Sequence, residues 1–169
     1  MKNKTQADLL VDQLNSYELA KIVLEKLECH VLVTGITASG KSTLLEKSNI
    51  PNSKYFDFVK LSEDEFISPH MLCESNFMGY KNDLINAVEK TLILDAVDLA
   101  GDQDVNLLQF IKDAKNYGKR LIVVMHPIDI DIAKPLFGAV ITLSGGMREV
   151  ERTCEVELIS KQSITAVKK

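Results

Sequence analysis

The sequence lacks tryptophan, has only 6% aromatic residues, and contains three cysteines. These cysteines, Cys29, Cys73 and Cys154, are far apart and form no C-x-x-C pair, which argues against a disulfide framework and against a zinc site. No apolar run approaches the roughly 18 residues of a membrane span. The first ten residues also lack the apolar region of a signal peptide. We therefore expect a soluble, cytoplasmic protein with reduced thiols and no membrane span.

Positive charge is scarce as well. The net charge is −4 with a pI near 5.4, and arginine occurs at three positions, Arg120, Arg148 and Arg152. An acidic chain of this kind is not typical of a nucleic-acid-binding domain, so the net charge does not support a nucleic-acid partner. With 169 residues and 46% hydrophobic content, we expect one domain over residues 1–160 and a mobile tail at 161–169.

The most informative stretch is VLVTGITASGKST, residues 31–43. Gly35, Gly40, Lys41 and Ser42 have the spacing G-x-x-x-x-G-K-[ST]. The glycines allow a tight turn whose N–H groups point inward, and Lys41 brings a positive charge to the β- and γ-phosphate oxygens. Ser42 offers a hydroxyl to Mg²⁺. Because an apolar run precedes the loop and an amphipathic segment follows it, the sequence predicts a nucleotide-binding loop between a strand and a helix.

At these residues the chain resembles the P-loop NTPase superfamily. The resemblance implies a three-layer α/β/α fold around a mainly parallel sheet, with ATP and Mg²⁺ as ligands. The residues that it assigns to the nucleotide are Gly35, Thr37, Ala38, Ser39, Gly40, Lys41, Ser42 and Thr43.

Apolar strands that alternate with helices along the chain agree with this class. Asn15 and Glu18 form a capping box that predicts a helix before the loop. The segment 83–90 predicts a helix with Leu84, Ala87 and Val88 on its inner side. The strands predicted after the loop are Tyr55–Leu61, Thr91–Asp95, Leu121–Met125 and Ala139–Leu143, followed by a half-exposed strand around Cys154–Leu158. We therefore expect about five parallel strands and an antiparallel edge strand.

Asp95 ends the apolar run TLILD and matches the Walker B aspartate of the family, which holds Mg²⁺ through water opposite the hydroxyl of Ser42. The alternative is an ordinary carboxylate at a strand end. Many ATPases of the family place a glutamate next, to orient the attacking water, but here the next residue is Ala96. Asp98 could take that role if the backbone turns back, and otherwise it is a turn or cap residue.

His126 follows the LIVVM strand, where related ATPases keep a polar residue that senses the γ-phosphate. The alternative is a solvated histidine at a strand end. With Lys41 and Asp98, His126 completes the candidate catalytic set. By contrast, we expect His30 and His70 to be structural. Arg148 and Arg152 follow the Gly145–Gly146 turn and are either arginine fingers acting on a second subunit or ordinary surface residues.

The order of these elements over residues 31–143 resembles the additional-strand, RecA-like ATPase cores of secretion, conjugation and DNA-translocating motors. This resemblance implies Mg-dependent ATP hydrolysis by a minimal or accessory ATPase, with a protein partner or a homo-oligomer. No guanine-reading N-K-x-D string occurs, which leaves ATP as the default nucleotide.

Two other functions stay open. One is a small-molecule or nucleoside kinase, since TASGKST is similar to the loop of uridine-kinase-like enzymes and Asp57 could accept a proton from a substrate hydroxyl. The absence of a two-arginine lid weighs against that kinase. The other is a non-catalytic sensor, in which ATP orders the stretch Ile67–Tyr80, and Ala96 after Asp95 favours this reading.

Overall fold

The computed structural model describes residues 15–58, 81–97, 103–127, 130–146, 148 and 151–159, with side chains from 107 onward in the helix that begins at 103. Asp98, His70, the stretch 67–80 and the tail 161–169 therefore lie outside the described residues. Among the described helices, the longest has 11 residues, and none is long and apolar enough to cross a membrane.

The described residues form a sheet of six strands with helices packed against it. In chain order the elements are α1 (Ser16–Lys26), β1 (Val31–Gly35), α2 (Lys41–Glu46), β2 (Ser53–Asp57), β3 (Thr91–Val97), α3 (Gln103–Asp113), β4 (Arg120–Met125), α4 (Ile130–Ala133), β5 (Ala139–Ser144) and β6 (Thr153–Leu158). Residues 81–86 are also helical. The strand order is β2-β3-β4-β1-β5-β6, and only the β5–β6 pair is antiparallel. The predicted mainly parallel sheet with an antiparallel edge strand is confirmed.

Helices cover both faces of this sheet, and they divide the core into two clusters. Leu32 of β1 belongs to the cluster under α3, whereas Val31 and Val33 belong to the cluster under α1 and α2. Successive side chains of a strand point to opposite faces, so a strand buried on both faces must be apolar throughout. This requirement explains the apolar runs at 31–33 in β1 and 121–125 in β4, two strands in which every residue is buried.

Several predicted boundaries are wrong. The strand predicted over Thr91–Asp95 continues to Val97, so Asp95 lies within β3 and not at its last residue. The strand predicted over Tyr55–Leu61 starts at Ser53 and ends at Asp57, since Phe58 is already helical. The helix predicted over 83–90 ends at residue 86, and Val88 is 92% exposed instead of lying inward. The buried Lys119 ammonium donates to the carbonyls of Ala87 and Glu89, so these backbone groups are bound outside the helix.

Arg120 has a structural place in the fold. Its side chain is 5% exposed, and its guanidinium donates to the carbonyls of Val23 (3.1 Å), Leu24 (2.9 Å) and Cys29 (3.2 Å). Carbonyls at the end of a helix have no partner within the helix, so Arg120 satisfies the end of α1 and ties it to β4. One of the three arginines is thereby committed to the core.

His30 lies just before β1 and is 4% exposed. Its Nδ1 accepts the backbone N–H of Leu121 at 3.0 Å, which requires the neutral ring. Burial lowers the pKa of His30 to about 4, with the charge of Lys115 acting in the same direction. The expected structural role of His30 agrees with this position.

This histidine predicts a loss of stability in acid. The unfolded chain takes up a proton at His30 near pH 6.5, whereas the folded protein resists it down to about pH 4. The free energy of unfolding should therefore fall by about 2 kcal/mol between pH 7 and pH 5 because of His30 alone. Urea unfolding at the two pH values measures the change. His30→Asn keeps an acceptor for Leu121 without the titration, so an equal pH dependence in this variant would contradict the assignment.

Candidate functional site

The loop predicted to bind phosphate, residues 35–43, leaves the sheet at the end of β1. Gly35 is buried, the next three residues are exposed, and Gly40 is the N-cap of α2. Ala38 (φ 63°) and Gly40 (φ 98°) both adopt left-handed conformations, and the N–H of Ser39 donates to the carbonyl of Ile36 at 3.2 Å. Backbone that passes in and out of the left-handed region forms concave sites for anions. The loop therefore makes the tight turn that its glycines predict, while anion binding stays a prediction.

Lys41 folds back onto this loop. Its ammonium donates to the carbonyls of Gly35 (2.6 Å) and Ile36 (2.8 Å). Burial lowers the pKa of Lys41, and the negative charge of Asp95 acts in the opposite direction. The ammonium therefore lies between the two ends of the loop and within electrostatic reach of Asp95. Ser42 and Thr43 follow in the first turn of α2, where Ser42 is exposed and Thr43 is half-buried.

Asp95 lies on β3, with β4 between it and the loop strand β1. The pairing of β3 with β4 shifts register between Leu94 and Val97, and Ala96 between them has a φ of 59°. Such bulges redirect side chains and occur near active sites. One carboxylate oxygen of Asp95 accepts the N–H of Ala96 at 2.7 Å, and the other accepts the hydroxyl of Tyr55.

Tyr55 is a candidate site residue that the sequence does not reveal, because in the sequence it is only one position of a predicted strand. It lies on β2, is 45% exposed, and donates its hydroxyl to Asp95. Burial, followed by the hydrogen bond to Asp95, raises the pKa of Tyr55 well above its usual value, so the hydroxyl keeps its proton. The parallel register of β2 and β3 also places Asp57 directly opposite Asp95. Both contacts follow from the register of β2 against β3, which cannot be deduced from the sequence.

His126 follows β4, the strand between β1 and β3. Its exposed ring lies with Nε2 at 3.5 Å from the Thr37 hydroxyl of the loop. The structure thus brings three of the predicted elements together at the carboxyl edge of the sheet: the loop, Asp95 and His126. Asp98 lies outside the described residues and remains a prediction.

Arg152, which immediately precedes β6, lies against the loop of its own chain. A Cβ atom at Gly40 would lie 3.1 Å from both Cδ and Nη1 of Arg152. The hypothesis from the sequence was that Arg152 acts as an arginine finger on a second subunit. That hypothesis did not include this contact with the loop of the same chain. Arg148, on the same β5–β6 connection, is exposed.

The donors at this edge suit a hard cation. Carboxylate and hydroxyl oxygens, such as those of Asp95 and Ser42, are the ligands that Mg²⁺ prefers. Across the described ranges, no three His, Cys, Asp or Glu side chains converge on one point. A divalent cation bound here would thus take its remaining ligands from phosphate and water, as is usual for Mg²⁺.

Comparison with known proteins supports the fold. No family model matches the sequence, and no curated protein matches it significantly. The structure is similar to that of a KaiC-like protein from the hyperthermophilic archaeon Pyrococcus horikoshii, with a TM-score of 0.53 and 17% identity over 79% of this chain and 80% of that one. At this identity the likeness shows the fold alone. The chain has a RecA-like α/β fold, and the likeness does not single out the motor subgroup.

Proposed function

We propose that this protein binds ATP with Mg²⁺ at the loop of residues 35–43 and hydrolyses it, as a minimal or accessory ATPase. The observation that carries the proposal is the position of Lys41. Its ammonium is hydrogen-bonded to the carbonyls of Gly35 and Ile36 and coupled to the charge of Asp95, which lies two strands away. A cation placed between a phosphate loop and a carboxylate near the carboxyl end of β3 suits a metal-bound triphosphate.

In this proposal the backbone N–H groups of the loop hold the α- and β-phosphates, and Lys41 exchanges its carbonyl partners for β- and γ-phosphate oxygens. Ser42 and Asp95 would hold Mg²⁺, which would neutralise charge on the phosphates. Because Asp95 accepts the Tyr55 hydroxyl, this tyrosine keeps the carboxylate oriented at the edge of the sheet. Tyr55 thus acts as a positioning residue for the metal site.

Turnover should be slow. The residue after Asp95 is Ala96, whose side chain cannot orient a water molecule for attack. His126, beside Thr37 of the loop, is the described side chain best placed to sense the γ-phosphate. Four further features remain predictions: Asp98 as the residue that positions water, a protein partner or homo-oligomer, a motor role, and a cytoplasmic location.

The first test is thermal stabilisation by ATP and Mg²⁺. A ligand at 100 times its Kd stabilises the folded state by about 2.7 kcal/mol, which raises the Tm of a chain of this size by about 5 to 10 °C. Lys41→Ala should abolish the increase, because the loop loses its central cation. Lys47→Ala, which removes an exposed lysine just after α2, is the matched control and should keep it. An unchanged wild-type Tm would contradict a nucleotide role.

The second test separates the metal from the nucleotide. Asp95→Asn should reduce Mg-dependent phosphate release at least tenfold while changing metal-free nucleotide binding less than twofold, because the amide keeps the shape but is a poor Mg²⁺ ligand. Asp57→Asn removes the carboxylate opposite Asp95 in the sheet and is the matched control. Equal losses of binding and turnover in Asp95→Asn would remove Asp95 from the metal site.

A kinase is the second candidate, favoured by one observation: Asp57 and Asp95 are paired across β2 and β3. In this reading Asp57 accepts the proton of a substrate hydroxyl as it attacks the γ-phosphate. Incubation with γ-labelled ATP and a panel of nucleosides and small alcohols distinguishes the two functions. We expect the label to appear as inorganic phosphate, whereas label on an acceptor would establish a kinase. Binding without any turnover would favour the sensor, with Ile67–Tyr80 as the segment to examine.

A further inference from the structure

Between β5 and β6, the backbone holds Arg152 in a position where its side chain contacts the loop of residues 35–43. Gly145 has a φ of 109°, and a Cβ there would collide with the carbonyl oxygen of Glu151 and lie 2.7 Å from Cα of Arg152. The hydroxyls of Ser144 and Thr153 are hydrogen-bonded across the same two strands. The backbone at Arg152 is therefore fixed by close contact with the end of β5, where only glycine fits.

The Arg152 side chain extends from this point to Gly40. Its Nε donates to the carbonyl of Gly146 at 3.3 Å, and Nη1 is the guanidinium nitrogen nearest to Gly40. A Cβ at Gly40 would lie 3.1 Å from Nη1 and 3.5 Å from Cζ. The residue as a whole is half-buried. The loop is thus in contact with two cationic side chains, Lys41 at the Gly35 and Ile36 carbonyls and Arg152 at Gly40.

We propose that Arg152 binds the α- and β-phosphates of the nucleotide within its own chain. This inference rests on the proposed function and assigns a further ligand residue to that site. The loop next to Gly40 cradles the α- and β-phosphates in this motif, whereas the lysine reaches the β- and γ-phosphates. A guanidinium also matches the geometry of phosphate oxygens and makes strong, charge-assisted hydrogen bonds.

The consequence is that one chain supplies both fixed cations of the diphosphate site. Nucleotide affinity should therefore not depend on a second subunit, whatever the oligomeric state. The other two arginines of the chain do not share this position: Arg120 is bound to helix carbonyls in the core, and Arg148 is exposed. Arg148 is thus a matched control on the same connection.

The experiment measures the binding of ATP, ADP and inorganic pyrophosphate by calorimetry. Arg152→Met keeps the apolar stem that packs on Gly40 and removes the charge. We expect it to weaken all three ligands about tenfold, which corresponds to the loss of one charge-assisted hydrogen bond. Its affinity should also fall less steeply with rising salt than that of the wild type. Arg148→Met should bind as the wild type does.

The choice of ligands separates the outcomes. A loss confined to ATP would place the guanidinium at the γ-phosphate, and a loss for nucleotides with unchanged pyrophosphate binding would place it at the base. Either result, or no loss at all, overturns the proposal. If Arg152→Met does not fold, Arg152→Lys, which restores a point charge, should bind more weakly than wild type for all three ligands, and wild-type affinity for them would overturn the proposal. A wild-type protein that binds none of the ligands refutes the proposed function itself, whereas wild-type binding that only Lys41→Ala abolishes refutes the role of Arg152 alone.

Discussion

The hydrogen bonds between the Lys41 ammonium and the carbonyls of Gly35 and Ile36 are the interaction on which the candidate site depends. They connect the end of β1 to the start of α2 across a loop whose backbone twice enters left-handed conformations. Without a cation at this point, the Gly35 and Ile36 carbonyls would each lose a hydrogen bond, and Ile36 would keep only the one from the N–H of Ser39. A bound triphosphate would also lack a fixed counter-charge. The same side chain thus satisfies the loop in the absence of ligand and suits the charge of a nucleotide.

Side chains of both charges lie around the Lys41 ammonium. Asp95 is held on one side by the Tyr55 hydroxyl and by the N–H of Ala96. Arg152 approaches Gly40 from the other side. Its backbone is in close contact with Gly145, and its Nε donates to the carbonyl of Gly146. A metal-bound triphosphate needs anionic ligands for its metal and cationic ligands for its phosphates, and this edge of the sheet offers both. Such complementarity in charge is the physical basis of the ATPase proposal.

Much of this was predictable because it is local in the sequence. The spacing from Gly35 to Ser42 predicts the loop, the apolar runs predict the buried strands, and Asn15 with Glu18 predicts the start of α1, where both capping hydrogen bonds are present. The predictions failed where distant groups decide the local conformation. Val88 is exposed because the preceding and following carbonyls are bound by Lys119, a residue about thirty positions away.

The sequence by itself determined the class of fold and the glycine-rich loop between β1 and α2, and it placed Asp95 near the carboxyl end of β3, since each is set by neighbours within a few residues. Only the tertiary structure decided the partners: Tyr55 on Asp95, 40 residues away, His126 on Thr37, 89 residues away, and Arg152 on Gly40. Strand order and register bring these pairs together. Both depend on how helices and strands pack over the whole core, and no short pattern of residues specifies them.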